Sequence, residues 1–405
     1  MLYLGIDLHG KQMTICVRTE QGDICLRRQV STRPNKVEEF LDYLAALTSG
    51  NGYVALLEVC GFHDWLVKRL EAHGACRKVL LVQPESRSKK KTDRRDANRL
   101  SELLWVNRQR LLAGERVQGL RTVYFPTDDE RQDRQLTSVR QRLGQLRTRT
   151  INQIRHLLRR NNREWERPTK TFQTKRVQHW LRTMALDATD RLEMDQLLEQ
   201  WKLWEQQIEQ LDQRIAERFA ENADAQLLTT IPGVSRYMAL AIASRIGDVS
   251  RFPRGRSLAN FFGITPGSRS SGETERLGSI TKEGSRCVRF LLGQLVLHVL
   301  RKDARLRNWF KAIKKRRGAK IARVAVMRRL AVIMWHMLTK REKYHYGGSP
   351  QRTRTEDDPR TACQEVDRRA VLDAMKRPTQ SGNDQASTGS SSPVAGAEPS
   401  HDKEA

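Results

Sequence analysis

The chain has 405 residues, which is enough for two or three domains with cores of their own. It carries 74 Lys and Arg residues against 47 Asp and Glu residues, a formal net charge of +27, so nucleic acid is the expected partner. The sequence contains no run of roughly 18 apolar residues and no signal-peptide pattern at its start. We therefore expect a cytoplasmic protein with no membrane partner.

The first hundred residues predict an α/β fold in which strands come first and helices then alternate with strands. The predicted elements, in chain order, are strands at about 2–8, 12–19 and 23–30, a helix at 35–48, a strand at 53–58, a helix at 62–73, a strand at 77–83 and a helix beginning near Thr92. This is the element order of a ribonuclease H-like fold.

Four carboxylates in this region predict a divalent-metal site. Asp7 and Glu58 stand at the polar ends of short apolar runs, and Asp93 and Asp96 are three residues apart, which puts both on one face of a helix. Any one of them alone is explained as a solvated turn residue. In the ribonuclease H-like order, however, the four would meet as a two-metal phosphoryl-transfer centre, and magnesium (Mg2+) prefers such oxygen ligands.

Residues 131–180 predict a long basic helix, because they contain fourteen Lys and Arg residues and three acids. Its apolar seam consists of Leu136, Val139, Leu143 and Leu146, and its candidate nucleic-acid contacts are Arg155, Arg159 and Arg160. A second helix carries a seam of Leu197, Trp201, Trp204, Ile208, Leu211 and Ile215. That seam fits a coiled coil between subunits or two helices that pack within one subunit, and the sequence favours neither.

The motif Ile231-Pro232-Gly233-Val234 is similar to a helix-hairpin-helix turn, in which backbone amides near Gly233 would hold a phosphate. An ordinary helical turn explains these residues nearly as well.

Residues 258–286 read as a Gly/Ser-rich loop between two apolar helices, a type of segment that lets the backbone approach phosphates. Residues 301–342 add fifteen Lys and Arg residues on a helix. The candidate phosphate contacts in these two segments are Arg269, Arg276, Lys282, Arg286, Lys314, Lys315, Arg316 and Arg317. From residue 347 onward the chain is polar, and we expect it to be mostly disordered.

Five motifs in this order resemble the DEDD transposases of the IS110 class of bacterial insertion sequences, from residue 1 to about residue 342. The motifs are Gly5-Ile6-Asp7, Glu58 followed by Gly61, Lys91-Thr92-Asp93 with Asp96-Ala97, Ile231-Pro232-Gly233-Val234, and Phe261 to Pro266 with Ser271-Gly272 and Ile280-Thr281-Lys282 followed by Gly284. The resemblance implies that Asp7, Glu58, Asp93 and Asp96 are the catalytic metal ligands and that Ser271 is a catalytic nucleophile. On its residues alone, a serine in such a loop is more often a hydrogen-bonding group.

The resemblance further implies a RuvC-like catalytic domain at 1–110, a helical coiled-coil linker at 111–225, a mainly α C-terminal transposase domain at 226–346 and a tail at 347–405. It implies a magnesium-dependent recombinase that joins donor and target DNA through a phosphoserine intermediate. An element-encoded guide RNA and a homodimer or homotetramer would be its other partners. Two alternatives remain open: a RuvC-like nuclease or junction resolvase that uses water, and a non-catalytic protein that only binds nucleic acid.

Overall fold

A computed structural model describes residues 1–83, 93–115, 117–118, 120–271 and 274–346, without the side chains of 93–94, 268–271 and 274–277. All described residues fall in one compact unit, Met1–Gly347. The predicted disordered tail lies outside them. None of the helices in this described part combines the length and apolar composition that crossing a membrane requires.

The N-terminal region is built on a six-stranded mixed sheet of order β3-β2-β1-β4-β5-β6. Its strands are β1 (Leu2–Leu8), β2 (Gln12–Arg18), β3 (Ile24–Ser31), β4 (Tyr53–Glu58), β5 (Cys76–Val82) and β6 (Thr122–Val123). The first three strands pair antiparallel, whereas β4 runs parallel to β1 and β5 parallel to β4. Both β1 and β4 are buried on both faces, which explains why they read as continuous apolar runs.

Helices cover both faces of this sheet. They are α1 (Pro34–Leu47), α2 (Asp64–Ala72), α3 (Asp93–Val106) and α4 (Arg108–Leu112). The first two pack on one face, where Phe40 and Leu66 are among the core residues, and α3 and α4 pack on the other through Leu104 and Leu111. The element order predicted for the first hundred residues is confirmed.

A helical hairpin follows the sheet, formed by α5 (Asp128–Arg160), α6 (Lys175–Thr183) and α7 (Ala188–Glu221). Helices α5 and α7 pack antiparallel within the chain. The Arg140 guanidinium contacts Asp212 at 2.9 Å and the Trp204 indole donates to Thr150 Oγ1 at 3.2 Å. Leu146, part of the predicted apolar seam of α5, stays 37% exposed.

The predicted single helix over 131–180 is wrong beyond Arg160. The helix ends there because Asn162 adopts a left-handed conformation (φ 53°) and the Arg163 amide returns to the Leu158 carbonyl at 2.8 Å. Asparagine tolerates that conformation better than most residues, so the Asn161-Asn162 pair stops the helix where the basic pattern continues.

The C-terminal region is mostly helical and encloses the largest core of the described chain. Its elements are α8 (Ala223–Leu228), α9 (Arg236–Ile246), α10 (Gly255–Phe261), β7 (Pro266–Ser271), β8 (Thr274–Ile280), α11 (Arg286–Lys302) and α12 (Ala304–Lys340). Helix α12 is broken at Gly318, whose φ is 82°. The predicted Gly/Ser loop is wrong in part, because β7 and β8 pair antiparallel as a hairpin and so satisfy backbone groups that a loop would leave to water.

Helix α5 is fixed to α9 by arginines. The largely buried Arg245 donates to Thr137 Oγ1 at 2.9 Å and to Ser138 Oγ at 2.8 Å, while Arg134 donates to the Ser244 carbonyl at 2.7 Å. Desolvation lowers the pKa of Arg134, although an arginine remains charged at neutral pH. These bonds join the helical hairpin to the C-terminal region.

Candidate active site

Two of the predicted acids lie side by side at the carboxyl ends of β1 and β4. The strand register pairs Ile6 with Leu57, so the next residues, Asp7 and Glu58, are level on adjacent parallel strands. Asp7 is buried (7% exposed), and Glu58, the last residue of β4, is half-buried. Adjacent carboxylates repel one another in a low dielectric, so this edge of the sheet favours a cation.

Helix α3 brings the other two acids toward the same edge. It crosses β1 at Gly5, where a Cβ atom would lie 2.2 Å from the Ser101 amide nitrogen and 2.3 Å from the Ala97 carbonyl oxygen. Its last turn reaches the opposite end of the sheet, where the Trp105 indole donates to the Glu20 carbonyl at 3.0 Å. The first turn of α3, which begins at Asp93 and contains Asp96, is therefore directed to the end that carries Asp7.

The four acids are described to different extents. Asp96 is half-buried, whereas the side chain of Asp93 lies outside the described residues. Among the described residues, no group of three or more His, Cys, Asp or Glu side chains is arranged to hold a metal ion. Because the Asp93 side chain is not among them, the complete set of four stays a prediction. The donor chemistry of the described acids fits a hard cation, because Asp7, Glu58 and Asp96 offer only carboxylate oxygens.

His9 lies beside this edge and contacts Asp7. Its Nε2 atom is 3.1 Å from Asp7 Oδ2, and the imidazole is 40% exposed. A hydrogen bond of this kind orients the carboxylate from the solvent side.

Ser271 ends β7 at the tip of the β-hairpin. Its backbone pairs with Thr274, and only residues 272–273, which lie outside the described part, separate the two strands. The Ser271 side chain is also outside the described residues, so its relation to the acids stays a prediction.

The base of this hairpin is closed by two glycines that the sequence motifs contain. Gly263 has φ 65°, and a Cβ there would lie 2.2 Å from the Glu283 carbonyl oxygen. Gly284 has φ 108°, and a Cβ there would lie 2.0 Å from the Phe261 carbonyl oxygen. Arg289 donates to the Gly284 carbonyl at 2.9 Å. The hairpin therefore leaves the helical core at a closely packed backbone crossing.

Some of the predicted phosphate contacts are exposed to solvent, and others pack against other parts of the chain. Lys282, Arg286 and the run Lys314, Lys315, Arg316 and Arg317 are exposed, and that run precedes the break at Gly318. Gly233 instead packs against α11, where its Cβ would lie 2.3 Å from the His298 Cβ. The side chains of Arg269 and Arg276 lie outside the described residues.

The three predicted contacts on α5 already have partners within the chain. Arg155 stacks 4.9 Å from the Phe172 ring centroid, Arg159 pairs with Glu164, and Arg160 bonds Glu193 at 2.8 Å. These arginines hold the end of the helical hairpin together, so their positive charge is only partly available to a phosphate.

Sequence reasoning missed the role of Gly5. A glycine inside a buried apolar strand marks a close approach of another backbone, and that signal was present in Leu4-Gly5-Ile6. Gly263 and Gly284 belong to the sequence motifs. Their role at the base of the hairpin depends on contacts between distant segments, which the sequence alone does not reveal.

Comparisons with known proteins give the family. Residues 4–162 match a DEDD transposase model of the IS110 type, described as Transposase, and residues 225–311 match the model described as Transposase IS116/IS110/IS902 family. The transposase for insertion sequence element IS1111A of Coxiella burnetii is 29% identical over 354 residues, which cover 85% of this chain and 91% of that protein.

Two shorter matches agree with this. A probable family 20 transposase of Pseudomonas aeruginosa is 31% identical over 157 residues, 38% of this chain and 46% of that protein. The transposase for insertion sequence element IS1328 of Yersinia enterocolitica is 27% identical over 139 residues, 33% of this chain and 42% of that protein. With two models matched in order and one relative aligned along most of its length, the chain is similar over most of its length to insertion-sequence transposases of the IS116/IS110/IS902 family.

Proposed function

We propose that this protein is an insertion-sequence transposase that cleaves and exchanges DNA strands with a magnesium-dependent DEDD site and a serine nucleophile, guided by an element-encoded structured RNA. The observation that carries the proposal is the shared edge of the sheet, where Asp7 and Glu58 are level on adjacent strands and the first turn of α3 is directed at them. Transposition requires DNA as substrate, and a DEDD transposase is expected to use a divalent metal ion.

We assign the N-terminal sheet to the ribonuclease H-like, RuvC-like class. Its support is the order β3-β2-β1-β4-β5 with an antiparallel first half and a parallel second half. On this assignment residues 1–110 form the catalytic domain, 111–225 the helical linker, 226–346 the C-terminal transposase domain and 347–405 the tail. The linker would form a coiled coil, and α5 packed on α7 within one chain would supply its first pair of helices.

Two sets of residues carry out the proposed chemistry, namely Ser271 and the four acids. The hydroxyl of Ser271 attacks a backbone phosphorus, so a serine–phosphate ester forms while the bond from phosphorus to one sugar oxygen breaks. The serine proton must leave Oγ, and a proton must reach the departing sugar oxygen. Because one phosphate ester replaces another, the cut strand can be rejoined by a second DNA end without an external energy source.

The four acids Asp7, Glu58, Asp93 and Asp96 would hold Mg2+, which when bound activates a hydroxyl and stabilises charge on the transferring phosphate. We propose a composite site, in which the acids of one subunit meet Ser271 of another, and therefore a homodimer or homotetramer. The charge of +27 supports binding of both DNA and RNA.

A covalent-adduct experiment tests this function. The protein is incubated with its copurified RNA, labelled target DNA and magnesium, then denatured and resolved by electrophoresis. Wild type should give a protein band that carries DNA, Ser271→Ala should lose it, and the neighbouring Ser270→Ala should keep it. Asp96→Asn should lose the band and strand cleavage but still bind nucleic acid, because the carboxylate is lost with little change in shape.

Each other outcome counts against a named part of the proposal. An adduct from Ser271→Ala would mean that the nucleophile is wrongly assigned. Free cleaved ends without any adduct in wild type would favour the water-using RuvC-like nuclease. Full cleavage by Asp96→Asn would remove the metal-site assignment.

A further inference from the structure

The end of the helical hairpin presents an indole to solvent. Trp165 is 91% exposed, the most exposed large apolar side chain in the described part of the molecule. It lies in a 3-10 turn, Glu164–Glu166, directly after α5. Tryptophan side chains are usually well buried, because the indole is large and gains from leaving water. An indole left this exposed is accessible to a partner.

The turn that carries Trp165 is fixed on both sides. Glu164 pairs with Arg159 of α5, and Arg163 donates to both carboxylate oxygens of Glu166, at 2.9 and 3.0 Å. The hydrogen bond from Arg159 lowers the pKa of Glu164, because it stabilises the carboxylate form. Both carboxylates that flank the indole are therefore paired with arginines.

The segment after the turn is also anchored. Phe172 is 4% exposed and lies between two guanidinium groups, Arg155 at 4.9 Å and Arg167 at 4.8 Å from its ring centroid. Arg167 also donates to the Thr169 carbonyl at 2.8 Å. The turn that carries Trp165 thus lies between two anchored segments, so a ligand would mainly have to order the indole itself.

The charge around the indole specifies the chemistry of the ligand. Residues 155–176 contain eight Lys and Arg residues against two acids, Glu164 and Glu166, and Asp190 and Glu193 of α7 also pair with Arg160, which leaves a net charge of +4. A flat aromatic face among excess positive charge suits a group that is flat, aromatic and attached to phosphates. A duplex hides its base faces in the stack, whereas a single strand or loop offers them.

We propose that Trp165 stacks on an unpaired base of a single-stranded nucleic acid, with the surrounding arginines and lysines on its phosphates. The proposal rests on the proposed function, since it specifies how such a transposase holds a looped or displaced strand. Both an RNA loop and a displaced DNA strand offer this chemistry, and the experiment separates the two.

The test measures binding by fluorescence anisotropy of full-length protein to a short single-stranded RNA, the same sequence as single-stranded DNA, and the same sequence as duplex DNA. Stacking contributes about 1–3 kcal/mol per base, so Trp165→Ala should weaken binding of at least one single strand by roughly 5- to 150-fold. Duplex binding should change by less than about twofold. Trp165→Phe should recover most of the affinity, because phenylalanine keeps an aromatic face.

Leu192→Ala, at an exposed apolar residue of α7 (60% exposed), is the matched control and should bind like wild type. The proposal is overturned if Trp165→Ala binds both single strands as wild type does, if duplex affinity falls equally, or if wild type does not bind single strands. The Ser271 adduct assay at saturating nucleic acid reports separately on the proposed function. If Trp165→Ala still forms the adduct but has lost single-strand affinity, the stacking role of Trp165 and the proposed function are supported independently.

Discussion

The contact between α3 and β1 at Gly5 makes a quantitative prediction about catalysis. In Gly5→Ala the new methyl carbon would lie 2.2 Å from the Ser101 nitrogen and 2.3 Å from the Ala97 oxygen, both backbone atoms that cannot rotate away. Reaching an ordinary contact requires α3 to move by about 1 Å. Since Asp96 immediately precedes Ala97, that movement displaces it relative to Asp7. A misplacement of about 1 Å at a reacting centre can cost on the order of 100-fold in rate.

The assay is strand cleavage in magnesium, with thermal unfolding measured on the same samples. We expect cleavage to fall by about 100-fold and the free energy of unfolding by about 1–3 kcal/mol, which is typical of an overpacked core. The matched control is Gly10→Ala in the turn after β1, where no atom lies within 4 Å of the added Cβ, and it should behave like wild type. Wild-type cleavage and stability in Gly5→Ala would refute the proposed coupling between helix position and acid geometry.

Two further predictions concern the C-terminal region. Tyr344→Phe should lower the free energy of unfolding by about 2 kcal/mol, because the Tyr344 hydroxyl donates at 2.7 Å to Asp303, which is only 1% exposed. Tyr346→Phe, at a ring that is 65% exposed, should change the free energy of unfolding little. Equal losses in the two variants, measured by chemical denaturation, would contradict this. Replacing the four exposed basic residues 314–317 with alanine should lower the slope of log affinity for duplex DNA against log salt by up to about 3–4, and an unchanged slope would mean that the DNA lies elsewhere.

The N-terminal sheet could be predicted because its signal is local. Strands β1 and β4 are buried on both faces, so each reads as a short apolar run that ends at an acid, and the helices between strands carry their own apolar period. The placement of Asp7 and Glu58 then follows from pairing those strands in parallel. The approach of α3 depends on Gly5, and only a contact between distant segments reveals that role.

The predictions failed where the decisive interactions are not periodic. The end of α5 is set by the backbone conformation of Asn162, while the basic pattern continues past it without a break. The β7–β8 hairpin is rich in Ser and Gly and has no apolar alternation. Its strands are defined by pairing with each other and by the glycine crossing at their base. The Ser and Gly content predicts a loop there, because composition carries no information about which backbone groups hydrogen-bond to each other.

The helical hairpin is bonded to the C-terminal region near one end of α5. Its first turns are fixed to α9 by Arg245, and beyond Ser138 helix α5 continues to Arg160, a rise of roughly 30 Å at 1.5 Å per residue. Trp165 is thus presented about six turns away from the joint that bonds α5 to the C-terminal region. Trp165 follows α5, whereas Gly5 lies in β1 against α3, so we expect substitutions at these two positions to have independent effects on free energy. If both proposals hold, Trp165→Ala should weaken single-strand binding without the loss of cleavage expected for Gly5→Ala, and Gly5→Ala should lower cleavage without weakening single-strand binding.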